Sequence, residues 1–546
     1  MGGFLAWGKP KRAQPARVPT DEVFKVSFRD NDDVPRGLMM GWMMQFNCVL
    51  DGDKLRDSLV KLINTGDWRK LGARCRLDEK GWLELHIPKE FTDDQRPALR
   101  YETKTFDMDL RQHPLGAKLP RPTEDPSIQP HGTDLFGLSK RSDQPETLED
   151  YLCSDLPLLG LYVVYFRDAT LVTLSWPHTL MDGLGRQALV RNWCHVLAGR
   201  EDKVQPLLGL RDGDPLDQVS LVDDAQGNPI EYHMKKDILR GFALFLFTLH
   251  FLYKILLGPK MDSPQIYFIP AKSMARLRRR ATDDLLDVAA DPKTGEKPPF
   301  LSDGDILTAL FARLALLSKP PMSNQPVSLQ NSFEIRTRLP DIFDPEAAYL
   351  TNLVFLSATL TDVKTIRATP LGKTALVIRQ SLVRHTQPDQ VRANVRESRK
   401  GAVAGGRSVL VGRPGMHMVV YSNWTKGRFF DVVDFGPAVV NKTGGSAGRD
   451  WPYDIVEPGK PVMMLPMVFG PATPLTRNMV NILGKDAAGN YWVSVLFDKE
   501  TNRRAGEVLA GLCVAPPFNA PNSSSLLQSI QSKCVSIQTN FASKPS

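Results

Sequence analysis

The chain has little cysteine, and its cysteines form no pattern that would build a site. Six occur in 546 residues, and none belongs to a CxxC pair or to a His/Cys spacing typical of zinc. A disulfide framework and a zinc centre are therefore excluded as organising features, and we expect no metal. We predict free thiols in a reducing compartment. The six are Cys48, Cys75, Cys153, Cys194, Cys513 and Cys534.

Strong charge of either sign is also missing. Lysine and arginine number 69 against 61 aspartates and glutamates, which gives a net charge of +8. This small excess argues against nucleic acid as a partner and suits an anionic small molecule. Residues 1–17 are basic but have no long apolar core. We therefore expect no secretory signal and a cytoplasmic protein, with or without membrane contact.

One long apolar run stands out. Residues 241–257 contain four phenylalanines and seven leucines or isoleucines, interrupted by Thr248, His250 and Lys254. The run is at the lower limit for a spanning helix. Three interpretations stay open: a buried or lid-like core helix, an interfacial helix docked on a membrane, and a true span. We favour peripheral contact over a span, because Lys254 and His250 would be costly at a bilayer centre.

The sequence does contain a histidine at the end of a strand-like segment. In the strand-like run of residues 171–176, Leu171, Thr173 and Ser175 alternate with Val172, Leu174 and Trp176, and Pro177 stops the pattern. His178 opens an HxxxDG string that ends in Asp182 and Gly183. A strand end can present an imidazole to a cavity, and the ordinary pKa of histidine suits proton abstraction near neutral pH. The string alone fits a capped turn before a helix equally well.

Further short motifs follow one another along the chain, and the ordered set is more specific for a function than HxxxDG alone. In chain order they are IPAK (269–272), SDGDILTA (302–309), EIRTR (334–338), YLTN (349–352), SNW (422–424) and DFGPA (434–438). The set resembles the motifs of the BAHD acyl-CoA-dependent acyltransferases. It is most similar to the fungal members that modify secondary metabolites, and the resemblance spans about residues 20–510.

Two of these strings depart from the family pattern. Pro437 and Ala438 stand where the family motif DFGWG has tryptophan and glycine, and residues 349–352 lack the usual glycine. In the family the late motif supports the fold away from the chemistry. We therefore expect the changes to alter local loop geometry more than activity. The DFG triplet does not indicate a kinase, because no HRD-type loop accompanies it.

The resemblance implies an α/β (α+β) fold of two similar chloramphenicol-acetyltransferase-like domains. Helices would flank mixed β-sheets, and an active-site channel would run between the domains. The expected divisions are a disordered basic arm (1–20), an N-terminal domain carrying HxxxDG (21–204), a crossover linker with the apolar helix (205–260), a C-terminal domain carrying DFGPA (261–515) and a polar tail (516–546).

The resemblance also implies roles for individual side chains. His178 would be the general base, and the alcohol would attack the thioester of acyl-CoA directly, without an acyl-enzyme. The hydroxyl of Ser422 and the indole N–H of Trp424 would meet the oxyanion. Lys272 and Ser273 lie where the family contacts CoA phosphate.

A second set of motif residues is expected to be structural. The family pattern turns Asp182 away from the base and pairs it with an arginine, for which Arg336 is the best candidate. Gly183 would allow a backbone conformation or an approach that a Cβ would block. The structural residues are therefore Asp182, Gly183, Arg336, Asp434, Phe435 and Gly436.

The predicted function is O-acyl transfer, with acetyl as the default group, from acyl-CoA to a hydroxyl of a terpenoid or polyketide-type metabolite. We expect a monomer that uses acyl-CoA as co-substrate, without a permanently bound cofactor and without nucleic acid. One alternative is a condensation-domain-like transferase, although Pro177 replaces the first histidine of that HHxxxDG motif. Another is a non-catalytic, membrane-associated metabolite- or lipid-binding protein on a degenerate transferase fold, against which the intact His178 argues.

Overall fold

Two large mixed sheets organise the chain in this computed structural model. It describes residues 12–130, 135–220, 230–286, 299–403, 409–441, 456–470 and 477–511. Most of the predicted basic arm and all of the predicted polar tail, with Cys513 and Cys534, lie outside the described residues. The four described cysteines are free.

The strands are numbered in chain order. They are β1 (Glu22–Lys25), β2 (Met39–Phe46), β3 (Val49–Leu50), β4 (Arg74–Leu77), β5 (Leu83–Ile87), β6 (Arg100–Thr105), β7 (Ser127–Pro130), β8 (Gly160–Tyr165), β9 (Thr170–Pro177), β10 (Leu207–Leu208), β11 (Gln265–Ile269), β12 (Pro326–Glu334), β13 (Ala348–Tyr349), β14 (Val354–Asp362), β15 (His417–Asn423), β16 (Val439–Asn441), β17 (Met463–Phe469), β18 (Met479–Lys485) and β19 (Tyr491–Leu496).

The α-helices follow the same convention. They are α1 (Asp33–Arg36), α2 (Gly52–Ile63), α3 (Phe136–Ser139), α4 (Leu148–Leu152), α5 (Gly183–Leu197), α6 (Pro215–Ser220), α7 (Gly241–Leu256), α8 (Ala271–Asp283), α9 (Asp303–Leu314), α10 (Val363–Ala368), α11 (Leu371–His385), α12 (Pro388–Val403), α13 (Phe429–Val432) and α14 (Lys499–Gly511).

A five-stranded sheet in the order β17-β2-β9-β8-β6 carries the HxxxDG segment. Every residue of β9 is buried, which fits a strand rich in Val, Leu, Thr and Trp that is covered on both faces. Pro177 is its last residue, so His178 follows at the carboxyl end of the strand. After a short turn, α5 begins at Gly183 and packs beside α2.

The second large sheet has seven strands in the order β14-β12-β15-β18-β19-β11-β7. Strand β15 lies inside it, parallel to both β12 and β18. Helices α8, α9 and α11 contribute to the hydrophobic core on this sheet. Ser422 therefore lies at the carboxyl end of a strand inside a buried sheet.

Each large sheet takes an edge strand from the other half of the chain. Strand β17, from residues 463–469, pairs with β2 in the five-stranded sheet. Strand β7, from residues 127–130, pairs with β11 in the seven-stranded sheet. The domain boundaries predicted from the sequence stay a prediction, but these two pairings tie the halves of the chain together through backbone hydrogen bonds.

The apolar run forms one helix, as predicted, from Gly241 to Leu256. No residue of this helix is buried, so the interpretation as a buried core helix is wrong. Within the described part of the chain, no helix is both long and apolar enough to cross a membrane.

Candidate active site

His178 is held through its backbone. Its N–H donates to the carbonyl of Leu38 at 2.8 Å, and its own carbonyl accepts from Asn352 Nδ2 at 2.8 Å. The imidazole is partly buried, and its Nδ1 has no hydrogen-bond partner among the described residues. Burial lowers the pKa of His178, and the charge of Arg186 acts in the same direction while Asp182 opposes it. The ring is therefore neutral near physiological pH, which is the form a base requires.

Asp182 faces Arg336. The guanidinium donates from Nη1 to Oδ2 and from Nη2 to Oδ1, both at 3.0 Å, in the two-point geometry typical of strong arginine–carboxylate pairs. Asp182 also caps α5 by accepting from Gly185 N at 2.8 Å, and it accepts from Leu353 N at 2.9 Å. The structure thus brings the two predicted partners together and shows a buried carboxylate with four donors around it.

The YLTN turn supports the same region. Arg336 Nη2 donates to the carbonyls of Tyr349 and Thr351, at 3.1 and 3.0 Å. Asn352 Nδ2 bridges the carbonyl of His178 and Asp30 Oδ1, the latter at 2.7 Å. Burial raises the pKa of Asp30 to about 6. The missing glycine of this motif therefore does not prevent the turn from anchoring the backbone of His178.

The expected steric reason for Gly183 is wrong. A Cβ at Gly183 would meet nothing nearer than Trp424, at 4.0 Å, which is ordinary van der Waals contact. The crowded position is Gly185, where a Cβ would come within 2.9 Å of the Leu350 carbonyl and 3.0 Å of Met181 Cβ. Close packing of α5 on the YLTN turn thus needs the second glycine of the DGLG sequence.

Ser422 and Trp424 interact with each other. The indole Nε1–H of Trp424 donates to Ser422 Oγ at 2.8 Å, so this donor is already used. The hydroxyl hydrogen of Ser422 is the one left to point elsewhere. Both side chains are partly exposed at the end of β15. The structure brings Trp424 to the first turn of α5, because its indole would lie 4.0 Å from a Cβ built on Gly183.

Arg186 is a residue of this site that sequence reasoning missed. Its side chain is 1% exposed, and the guanidinium carbon lies 4.2 Å from the ring centre of Phe429 and 4.4 Å from those of Trp42 and Trp424. Its Nε and Nη2 have no hydrogen-bond partner in the described chain. Burial lowers the pKa of Arg186 to about 9, so it keeps its charge at neutral pH. The aromatic residues come from separate segments, and no spacing in the sequence predicts this cage.

The DFGPA segment lies at the opposite end of α5 from His178. Phe435 is fully buried, with its ring centre 4.6 Å from that of Trp193 and 5.3 Å from that of Phe46. Asp434 Oδ1 accepts from Gly436 N at 3.0 Å within the segment. The carbonyls of Pro437 and Ala438 accept from Lys54 and Asp51 at the start of α2. This arrangement is structural, and the two altered residues take part in it through their backbone.

The two residues predicted to contact CoA phosphate differ in exposure. Lys272 is exposed at the start of α8, where Glu124 and Asp125 each approach its amine at 3.4 Å. Ser273 is 3% exposed and sits within the same helix. Only Lys272 reaches solvent, and the contacts of Lys272 and Ser273 with a CoA phosphate stay predictions.

No protein-family model matches the chain. It is nevertheless 37% identical to the O-acetyltransferase PaAT-2 of Phomopsis amygdali, over 87% of this chain and 95% of that protein. It is 34% identical to the acetyltransferase sphE of Aspergillus fumigatus, over 91% of this chain and 96% of that protein. A protein named transcriptional regulator calD, from Penicillium decumbens, is also 34% identical, over 88% of this chain and 93% of its own length.

Solved structures share the fold at low identity. TRI101 of F. sporotrichioides, crystallised with coenzyme A and T-2, matches with a TM-score of 0.59 and 15% identity, over 89% of this chain and 96% of that chain. The predicted fold class, with mixed sheets flanked by helices, is confirmed. Because the curated relatives match over nearly their whole lengths, the chain belongs to the BAHD-like acyltransferase family that these fungal acetyltransferases represent.

Proposed function

We propose that this enzyme moves an acyl group, acetyl by default, from acyl-CoA to a hydroxyl of a small secondary metabolite, with His178 as general base. The observation that carries the proposal is that groups from both sheets lie around the start of α5. His178 precedes this helix and is neutral, the buried charge of Arg186 acts on its pKa, and Arg186 contacts Trp424, which donates to Ser422.

The reaction proceeds in two steps. The alcohol oxygen attacks the thioester carbonyl carbon while His178 takes the hydroxyl proton. The tetrahedral intermediate then collapses, the C–S bond breaks, and the imidazolium returns the proton to the CoA thiolate. Burial and Arg186 both disfavour the imidazolium, so they favour the return of the proton. No acyl-enzyme forms.

Ser422 is the oxyanion donor in this mechanism. The indole N–H of Trp424 already donates to Ser422 Oγ, and such a bond polarises the hydroxyl and strengthens it as a donor. Trp424 therefore acts through Ser422. Arg186 adds a positive field near the same place, where negative charge develops on the former carbonyl oxygen.

Acyl-CoA is the co-substrate, and no permanently bound cofactor is required. Support comes from the family and from the coenzyme A bound to TRI101, which shares the fold. Lys272 is the candidate for a phosphate contact, because its side chain is exposed in the first turn of α8, directly after β11. A phosphate would replace the carboxylates of Glu124 and Asp125 as its partner.

A direct test is CoA release. The purified full chain is incubated with acetyl-CoA and a panel of hydroxylated terpenoids and polyketides, and free thiol and esterified product are measured together. Thiol release that depends on acceptor and on His178 supports the proposal. Absence of an ester from every acceptor class, in a folded protein that binds acetyl-CoA, would overturn the assigned substrate class.

The second candidate is a non-catalytic protein on the same fold. It is favoured by the relative named transcriptional regulator calD and by the apolar helix α7. An intact base in a neutral state and a complete support network around Asp182 argue for catalysis instead. We further propose a cytoplasmic monomer, with the two-domain division given above.

A further inference from the structure

Helix α7 has two different faces. The inner face carries Phe247, His250, Phe251 and Lys254, which line a crevice against Met416, Met418, Arg477 and Asn478. Lys254 Nζ donates to the carbonyl of Met416 at 3.2 Å. These contacts fix how the helix is rotated on the body of the enzyme.

The outer face is a continuous apolar stripe without a protein partner in the described chain. Its side chains recur at intervals of three or four residues, which is the spacing of one helix face. They range from 38% exposed at Leu246 to 75% exposed at Leu256. The stripe consists of Phe242, Phe245, Leu246, Leu249, Tyr253, Leu256 and the following Leu257. A helix of 16 residues makes it about 24 Å long, a large apolar patch for a protein surface.

The charges around this stripe have one sign. No aspartate or glutamate occurs from residue 238 to 261. Lys236 and Arg240 precede the helix, and Lys260 follows it, all exposed. Arg240 forms an ion pair with Glu397, with 2.9 Å between Nη2 and Oε2, whereas no described carboxylate pairs with Lys236 or Lys260. The stripe is therefore bracketed by exposed cations at both ends.

This combination selects one kind of partner. An aromatic and aliphatic face with flanking lysines is what an interfacial helix presents to an anionic bilayer. A second copy fits less well, because a two-fold contact across α7 would bring the same cations together. We propose that α7 docks the enzyme on the surface of an anionic lipid bilayer, lying in the plane of the interface with the stripe towards the acyl chains.

Flotation of the purified full chain with vesicles tests this proposal. The vesicles contain phosphatidylcholine alone or phosphatidylcholine mixed with phosphatidylserine. The wild-type protein is expected to float with the anionic vesicles, and less at high salt, because salt screens the lysine contacts. The triple variant Phe242→Ser, Leu249→Ser, Leu256→Ser should lower the partition coefficient at least about tenfold. The double variant Lys236→Glu, Lys260→Glu should lose the preference for phosphatidylserine.

A matched control removes apolar side chains that are exposed elsewhere. Val377 and Val383 on α11 are 50% and 47% exposed, and the variant Val377→Ser, Val383→Ser should float like the wild type. Acetyl transfer to a water-soluble acceptor should stay unchanged in the triple variant, which separates this proposal from that of the catalytic function.

Three outcomes would overturn the proposal. In the first, the wild-type protein stays with the soluble fraction for both vesicle types. In the second, the triple variant floats as well as the wild type. In the third, the wild type is a dimer that the triple variant converts to a monomer while neither binds vesicles, which would make the stripe a contact between copies. Equal melting temperatures of the wild type and the triple variant would show that a loss of vesicle binding is not caused by unfolding.

Discussion

The guanidinium carbon of Arg186 lies 4.4 Å from the ring centre of Trp424. This contact joins the helix that follows HxxxDG to the end of β15, which comes from the other half of the chain. The same buried charge acts on the pKa of His178, the proposed base, and lies beside the tryptophan that donates to Ser422, the proposed oxyanion donor.

Replacement of His178 by alanine should lower kcat by about 10² to 10⁴, the usual effect of losing a general base. Thiol release from acetyl-CoA at saturating acceptor measures it. His195→Ala is the control, since this histidine lies near the far end of α5, the helix that follows the HxxxDG segment. A folded His178→Ala enzyme with near-normal turnover would contradict the mechanism.

The pH dependence should reflect the shifted imidazole. His178 must be neutral to act, and its pKa lies below the ordinary value, so the acid limb of kcat/KM should have its midpoint below about 6.5. Arg186→Met removes a charge that lowers this pKa; the pKa should rise, the limb should move to higher pH, and activity at mildly acidic pH should fall most. An acid limb that does not move in Arg186→Met would show that the charge of Arg186 does not act on the pKa of His178.

Asp182→Asn should reduce stability strongly. Breaking a buried ion pair by changing one partner costs about 3 to 5 kcal/mol, because Arg336 keeps its charge without a carboxylate. Chemical denaturation measures the free energy of unfolding. The exposed pair of Glu500 and Arg503 supplies the control, and Glu500→Gln should leave this energy nearly unchanged, because solvent screens an exposed pair. Equal effects of the two variants would exclude the anchoring role.

Ser422→Ala should be more damaging than Trp424→Phe. Loss of an oxyanion donor lowers kcat by about 10² to 10³, whereas loss of the indole N–H only weakens a donor that remains. The comparison of kcat at saturating acetyl-CoA decides the order. A larger loss in Trp424→Phe would mean that the indole turns away from Ser422 and meets the oxyanion itself.

The two glycines after Asp182 should respond differently to alanine. Gly185→Ala forces a Cβ towards the Leu350 carbonyl and should lower the melting temperature, while Gly183→Ala leaves ordinary contact distances. Thermal unfolding of both variants is a matched comparison, because the positions are two residues apart. A larger loss of stability in Gly183→Ala would contradict this assignment.

Local patterns predicted the elements that depend on local sequence. The alternation before Pro177 indicated a strand and placed His178 at its end, and the apolar run of residues 241–257 predicted α7. The order of motifs suggested Arg336 as partner of Asp182. Each of these rests on periodicity or on a family string.

Features that depend on tertiary packing were missed. The cage of Arg186 uses rings from β2, from the turn directly after β15 and from α13, which no sequence window contains. Burial of Ser273 depends on which side of α8 meets the sheet. The crowding at Gly185 depends on the path of a turn more than 160 residues away, so Gly183 seemed the better candidate from HxxxDG alone.

The exchange of edge strands has a consequence for biosynthesis. Strand β2 has the sequence MMGWMMQF, and its outer hydrogen-bonding edge is covered only by β17, which emerges from the ribosome more than 400 residues later. During most of synthesis an apolar strand edge is therefore without its final neighbour, a state that favours aggregation and recruits chaperones. Fragments that end before residue 463 should for the same reason be insoluble, so a fragment made for expression has to include β17.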